Sequence, residues 1–481
     1  MVIFSFERTI YSLKKSGGDG AVDTPVPIPN TEVKHRSGEN ISLRQDSEPP
    51  GFFYILNILY LYIIYIHGGN IMEINLIRLR TVLDDREDQI IKEDDSFIDA
   101  INDELMDDDI SLVEDSLHAC FDIYFVETGG SETKFLEHFD NINAPVVLLT
   151  TEKNNSLPAS LEIKTYCALH DIPAIVLSGD EKRIANILKP FARAIFAKKN
   201  MENTNLGVIG EPSNWLIASQ ISDEDADKIF KIKLIHISMD ELVNEIDKKE
   251  LLKIPHLTDL KRKFKNEEVL TGALNIYSAL KRLVAKYDLK GLTIRCFDLL
   301  NIYKNTACLA LALLNEEGII AGCEGDVPSM ITMYTLKNLT GRSSFQANPS
   351  YIDQDNSSVL FAHCTLPLNM TNDYNLTTHF ESGLGIGIKG NMHLGEVTVC
   401  KIFVNQKHNL DNSVAINGKI KENLSLANYC RTQINVEFSE YDIVTILREE
   451  YGNHMIIVYG NITDEFYTLI SLFNFGIKEE K

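Results

Sequence analysis

Between residues 323 and 365 the chain sets carboxylates and an imidazole at the ends of apolar runs. They are Cys323-Glu324-Gly325-Asp326, Tyr351-Ile352-Asp353-Gln354-Asp355 and Phe361-Ala362-His363-Cys364-Thr365. Strand ends deliver side chains into pockets, and two carboxylates with a histidine suit a divalent cation that polarises a substrate oxygen. Glu324 follows the small, apolar Ala321-Gly322-Cys323, so its carboxylate is expected at a buried strand end, where it needs a cationic partner. Asp326 precedes a helical pattern from Val327 and reads as its N-cap. Asp353 and Asp355 share one face of an extended segment, which makes one a ligand and the other a solvated neighbour. A lone histidine in a strand such as Val359 to Thr365 is ordinarily a satisfied core residue, but the nearby acids turn His363 toward a ligand role.

A fourth candidate is His454, which follows Gly452-Asn453 and precedes an apolar strand. His379 and His393 rank below it, with His379 kept as the alternative to His363. The glycine-rich stretch 383–390 either closes over a sugar or forms a plain hairpin. Trp215, the single tryptophan, and Arg431 are weighed as sugar contacts against a core tryptophan and a surface arginine.

The elements that must hold these residues fall into three textures. From Met72 to about residue 203, short apolar runs (Ile74 to Leu79, Asp122 to Glu127, Pro145 to Thr150, Pro173 to Leu177) alternate with helical patterns, the signature of βαβ units on a parallel sheet. Thr128-Gly129-Gly130-Ser131 reads as a tight turn, since it lacks the fuller glycine pattern of a nucleotide-binding loop. A polar break at Lys198 to Asn205 resets the pattern. A second α/β unit then runs over 204–341, with strands at Leu206 to Ile209, Lys233 to Ile237, Leu292 to Phe297 and Ile319 to Cys323. Ser238-Met239-Asp240-Glu241 has capping-box spacing and starts a helix. After Gly341, Gly/Asn-rich turns separate short β-branched runs, so 342–481 is expected to be β-rich. The fold class is therefore α/β, two Rossmann-like α/β domains followed by a β-rich carboxy-terminal domain. The candidates sit at the seam between the last two, a favoured place for small-molecule sites.

Composition narrows the function classes. The 481 residues are 44% hydrophobic and 24% charged, as in a globular protein with several cores. A formal charge of −23 opposes a nucleic-acid backbone as partner. Eight cysteines without a Cys-x-x-Cys pair, most inside apolar runs, read as buried thiols in a reducing cytoplasm, not as structural zinc ligands. Residues 1–71 form a Gly/Pro-rich extension that ends in the apolar run Phe52 to Ile66. A helix of that length reaches only about 22 Å against a hydrocarbon core of roughly 30 Å, so no stable membrane span is expected. The extension reads as a poorly ordered appendage, or as sequence upstream of a natural start at Met72.

Gly210-Glu211-Pro212-Ser213-Asn214-Trp215-Leu216-Ile217-Ala218-Ser219, the Cys323 to Ser329 turn, the Asn348 to Thr365 segment and Gly452-Asn453-His454 together resemble the L-fucose/L-arabinose isomerase superfamily. The resemblance implies a Mn²⁺ site, or one for another divalent cation such as Co²⁺ or Mg²⁺, and interconversion of aldoses and ketoses by a homo-oligomer. It implies metal ligation by Glu324, Asp353, His363 and His454. Glu324 and Asp353 would be the catalytic acid and base, moving protons between C1 and C2 of an open-chain deoxyhexose or pentose through a cis-enediol. A non-catalytic sugar-binding protein on the same scaffold, and a metal-dependent hydrolase or lyase acting on a sugar acid, are the rival readings.

Overall fold

The computed structural model describes residues 71–479 apart from 83–85, 143 and 450. The amino-terminal extension, with the expected appendage and its apolar run, lies outside the described residues. Two parallel sheets and a closed barrel organise the rest.

The first sheet has strands β1 (Met72–Leu79), β2 (Ile110–Val113), β3 (Asp122–Val126), β4 (Val146–Thr150) and β5 (Ala174–Leu177), in the order β2-β1-β3-β4-β5. Every pairing in it is parallel. Strand side chains alternate between faces, and the sequence obeys. Ile123, Phe125, Val147 and Leu149 enter one core, whereas Tyr124, Val126, Val146 and Leu148 enter another on the opposite face. Both faces are therefore covered, as a parallel sheet requires.

The second sheet repeats this arrangement with β6 (Thr204–Ile209), β7 (Ile232–Ile237), β8 (Leu289–Ile294) and β9 (Ile320–Cys323), ordered β7-β6-β8-β9 and again parallel. The capping-box serine is present as expected: Ser238 Oγ accepts from Glu241 N at the start of helix Met239–Asp247. From the carboxyl end of β9 the chain turns into helix Val327–Thr340. This helix is buried along nearly its whole length and stopped by Gly341 in the left-handed conformation.

The remaining strands are β10 (Phe345–Asp353), β11 (Ser358–His363), β12 (Thr371–Thr377), β13 (Gly387–Met392), β14 (Gly395–Lys401), β15 (Val414–Asn423), β16 (Thr432–Glu437) and β17 (Met455–Tyr459). Six of them close a barrel in the order β10-β11-β16-β15-β14-β17, and β12 pairs with β13 as a separate hairpin. The barrel shares one core with the second sheet, to which Phe345, Phe361, Val399, Val436 and Ile457 contribute. The stretch 383–390 accordingly resolves as the approach to a hairpin strand.

The final helix, Thr463–Glu479, leaves the barrel and joins the core of the first sheet. There Phe473 meets Phe230 edge to face, and Arg193 of helix Glu181–Met201 pairs with Glu465 at 3.1 Å. Phe466 is fully buried in the same core. Phe466→Ala should cost about 3–5 kcal/mol through lost transfer energy and the cavity left behind. Urea denaturation read by circular dichroism checks this, and an unchanged midpoint would refute the packing role of the helix.

Candidate metal centre

The turn after β9 positions the first ligand candidate. Glu324 adopts φ +65°, rare for a residue with a side chain, and Gly325 follows at φ +74°. A Cβ on Gly325 would lie 2.8 Å from Pro212 Cα and 2.9 Å from Glu211 O, so glycine is needed for the two backbones to touch. The turn is fixed from three sides. Ser213 N donates to Glu324 O at 2.9 Å, and Gly325 N donates to Ile294 O at 2.9 Å. Gln346 on β10 reaches across to Cys323, accepting from its N–H at 2.8 Å and donating to its carbonyl at 3.3 Å. That side chain locks the end of an edge strand of the sheet to the barrel.

The histidines arrive from the barrel. Asn348 on β10 pairs with Ala362 of β11, and Ala347 with Met455 of β17. The next residue along β11 is His363, and the residue before Met455 is His454, so the two flank β10 from opposite sides. Their rings lie 5.3 Å apart at 74°. Glu324 Oε1 is 3.8 Å from His363 Nε2 and 3.6 Å from His454 Nε2. The three donor atoms lie within 4.8 Å of one another, and all three residues are buried.

Each donor is aimed by its other contacts. His454 is fully buried and donates from Nδ1 to Asp326 Oδ2 at 2.9 Å, while its Nε2 has no hydrogen-bond partner among the described residues. His363 Nδ1 lies 2.9 Å from Thr365 Oγ1, which leaves Nε2 facing Glu324. Glu324 Oε2 accepts from the Trp215 indole at 2.6 Å. Burial alone would raise the Glu324 pKa, but the two imidazoles outweigh it and hold the carboxyl well below the usual range. For His454 burial opposes charge, yet Asp326 and Glu324 prevail and push it up to about 9.

Two imidazole nitrogens and a carboxylate oxygen facing one point suit a first-row divalent cation with positions left open for a ligand. The buried, unpartnered His454 Nε2 supports this, because leaving such a group unsatisfied costs about 1–3 kcal/mol. Asp326 behind it is the outer carboxylate that commonly fixes the tautomer of a metal-binding histidine.

Asp353 is not brought to this cluster. It ends β10, half-buried at the head of a turn, where its carboxylate accepts from Asn356 N at 3.1 Å and Asn356 Nδ2 at 2.9 Å. The expected alternation from Asp353 to Asp355 also fails, because the strand stops at Asp353. Asp326 is the N-cap expected, its Oδ1 accepting from Ser329 N at 2.8 Å, but its second oxygen orients His454, a role the sequence reading did not assign. His379 does not join the cluster. Burial and His363 lower its pKa to about 4, so it stands neutral on the wall of the adjoining cleft.

That cleft, of about 510 Å³, opens onto Glu324 and His363 and lies within the range of small-molecule pockets. Trp215, Phe297 and His379 form an aromatic side, with Phe297 edge-on to Trp215 at 4.8 Å and to His379 at 5.7 Å. Trp215 is 52% exposed, so it is a wall residue and not a core one. Arg431 braces the loop that carries His379, donating to Thr378 O at 2.7 Å. Glu381 supplies a second carboxylate to the lining, and Asn348 and Asn453, joined at 3.0 Å, supply amides.

No protein-family profile matches the chain. Among curated proteins it is similar to the sulfoquinovose isomerase of Priestia megaterium, at 22% identity over 374 residues, covering 72% of this chain and 81% of the relative. The sulfoquinovose isomerase of Alkalicoccus urumqiensis is 22% identical over 318 residues, covering 62% and 70%. A protein of the same name from Clostridium sp. (strain MSTE9) reaches 31% over 110 residues, 20% of this chain and 25% of its own length. The named relatives are thus isomerases, in line with the class implied by the resemblance of the motifs.

Calorimetry with Mn²⁺ or Co²⁺ tests the centre directly. His363→Gln and His454→Gln should each weaken binding by at least the roughly 10- to 100-fold that an outer partner of a metal ligand commands, and Asp353→Asn should leave it unchanged. Since Asp326 and Glu324 push the His454 pKa up to about 9, the cation must displace a proton, and affinity should rise from pH 6 to pH 9. Binding that is independent of pH, or lost with Asp353→Asn, would contradict the assignment.

Proposed function

We propose that the chain is a metal-dependent aldose–ketose isomerase acting on a sugar in its open-chain form. The observation that carries this is the convergence of Glu324, His363 and His454, the first two of which line a cleft of sugar size. Similarity to sulfoquinovose isomerases over most of the chain supports the reaction class. Among described residues no helix is long and apolar enough to cross a membrane.

Glu324, His363 and His454 would hold the cation, which when bound polarises the substrate oxygens and stabilises negative charge that develops on them. Glu324 has a split task. Oε1 faces the histidines, whereas Oε2, held by the Trp215 N–H, is the oxygen able to receive or return a proton at carbon. With Asp353 removed from consideration, Glu381 on the same lining takes the place of the second proton carrier. Partial desolvation at the cleft and the negative Glu324 raise its pKa, which favours it as the acid. The aromatic side can pack a sugar's C–H face while the amides of Asn348 and Asn453 meet hydroxyls.

One observation favours the rival, a sugar-binding protein without turnover: the second carboxylate of the lining, Glu381, is exposed and stands outside the buried cluster. A panel including L-fucose, L-arabinose and sulfoquinovose, assayed in heavy water with and without Mn²⁺, separates the two. An isomerase should form ketose with solvent deuterium at the product carbon, and Glu324→Gln should lower kcat by about 10²–10⁴. Sugar affinity with neither ketose nor deuterium exchange for any aldose would leave the binding protein instead.

A further inference from the structure

A buried cation stands directly behind the metal centre and does not line the cleft. Lys401, the last residue of β14, is 2% exposed. Its Nζ donates to Ser329 Oγ at 2.8 Å and lies 3.5 Å from Asp326 Oδ2. That oxygen is the one on which His454 Nδ1 donates. Ammonium and imidazole therefore meet on a single carboxylate oxygen, with Asp326, His454 and Lys401 all withdrawn from solvent.

Such an arrangement is costly. Each charge removed from water loses several kcal/mol of solvation, and the pair recovers it only where the geometry is held. The structure holds it by stitching the end of β14 to the first two turns of helix Val327–Thr340. Ile402 N donates to Thr332 Oγ1 at 3.0 Å, and Thr332 Oγ1 in turn donates to Pro328 O at 2.7 Å. The cap of that helix is Asp326 itself. One strand of the barrel thus fixes both the carboxylate and the cation that balances it.

We propose that Lys401 is a positioning residue for the metal centre, holding the Asp326 carboxylate in place so that His454 turns Nε2 toward Glu324. The inference rests on reading the cluster as a metal site. With Lys401 present, the buried anion is balanced by a group outside the cleft, and the imidazole is free to serve as a ligand. Without it, Asp326 has no other charged partner than that imidazole among the described residues, and the orientation of the ligand is no longer independently fixed.

The test is calorimetric titration of the full chain with Mn²⁺ and Co²⁺, together with the visible spectrum of the Co²⁺-saturated protein. Lys401→Met should raise the dissociation constant about 10- to 100-fold and alter the spectrum at saturation. A merely structural role would lower the melting temperature while leaving constant and spectrum as in the parent, and that result would overturn the proposal. Should Lys401→Met not fold, Ser329→Ala removes one hydrogen bond from the ammonium and should weaken binding about fivefold. Unchanged affinity in that variant would be equally fatal. If the parent binds neither ion, the metal reading itself falls; if the parent binds and the variants match it, only the role of Lys401 falls.

Discussion

One short turn carries the site. Two successive residues in the left-handed conformation, Glu324 and Gly325, bring the chain off β9 so sharply that the Glu211-Pro212 backbone can rest against it. A side chain held at positive φ stores strain of order 1–3 kcal/mol, and it persists only where the surroundings over-determine it. Here they do, through Ser213, Ile294 and Gln346. The turn also throws two carboxylates, separated by one glycine, in different directions. Glu324 faces the cleft and Asp326 goes underneath, so neighbours in sequence sit on opposite sides of one histidine.

Much of the scaffold was legible because the parallel strands are short apolar runs bounded by polar breaks, and those runs are what a sheet covered on both faces demands. Glu324, His363 and His454 were legible for the same reason, each lying at the end of such a run. Asp353 misled because its run does end there, and Gln354-Asp355-Asn356 carries the chain away into a turn, where aspartate accepts from the backbone three residues on. The second function of Asp326 could not be read at all. Capping is local and visible in the spacing to Ser329, whereas His454 and Lys401 come from strands 128 and 75 residues further along. The contact between Trp215 and Glu324 is hidden likewise, since it depends on Gly325 admitting the loop that follows β6, two strands away in the sheet.

The barrel does more than supply histidines. Through Gln346 it pairs with the end of β9, and through Lys401 and Ile402 it grips the start of the helix that β9 feeds. Sheet and barrel thus share one hydrophobic core and two polar clamps, placed on either side of the turn. Side chains from both halves must agree to within a few tenths of an ångström if three donors are to face one point, and shared packing with buried hydrogen bonds is how rigid elements reach that tolerance.

The placement of the last helix bears on the order in which the molecule can be made. Helix Thr463–Glu479 fills part of the core of the first sheet, beside Phe230 and helix Glu181–Met201. A ribosome adding roughly 5–20 residues per second exposes the outward face of helix Glu181–Met201 long before the helix that covers it has been synthesised. During translation the amino-terminal half therefore carries an open apolar surface for on the order of ten seconds or more, and its folding is completed only from the opposite end of the chain.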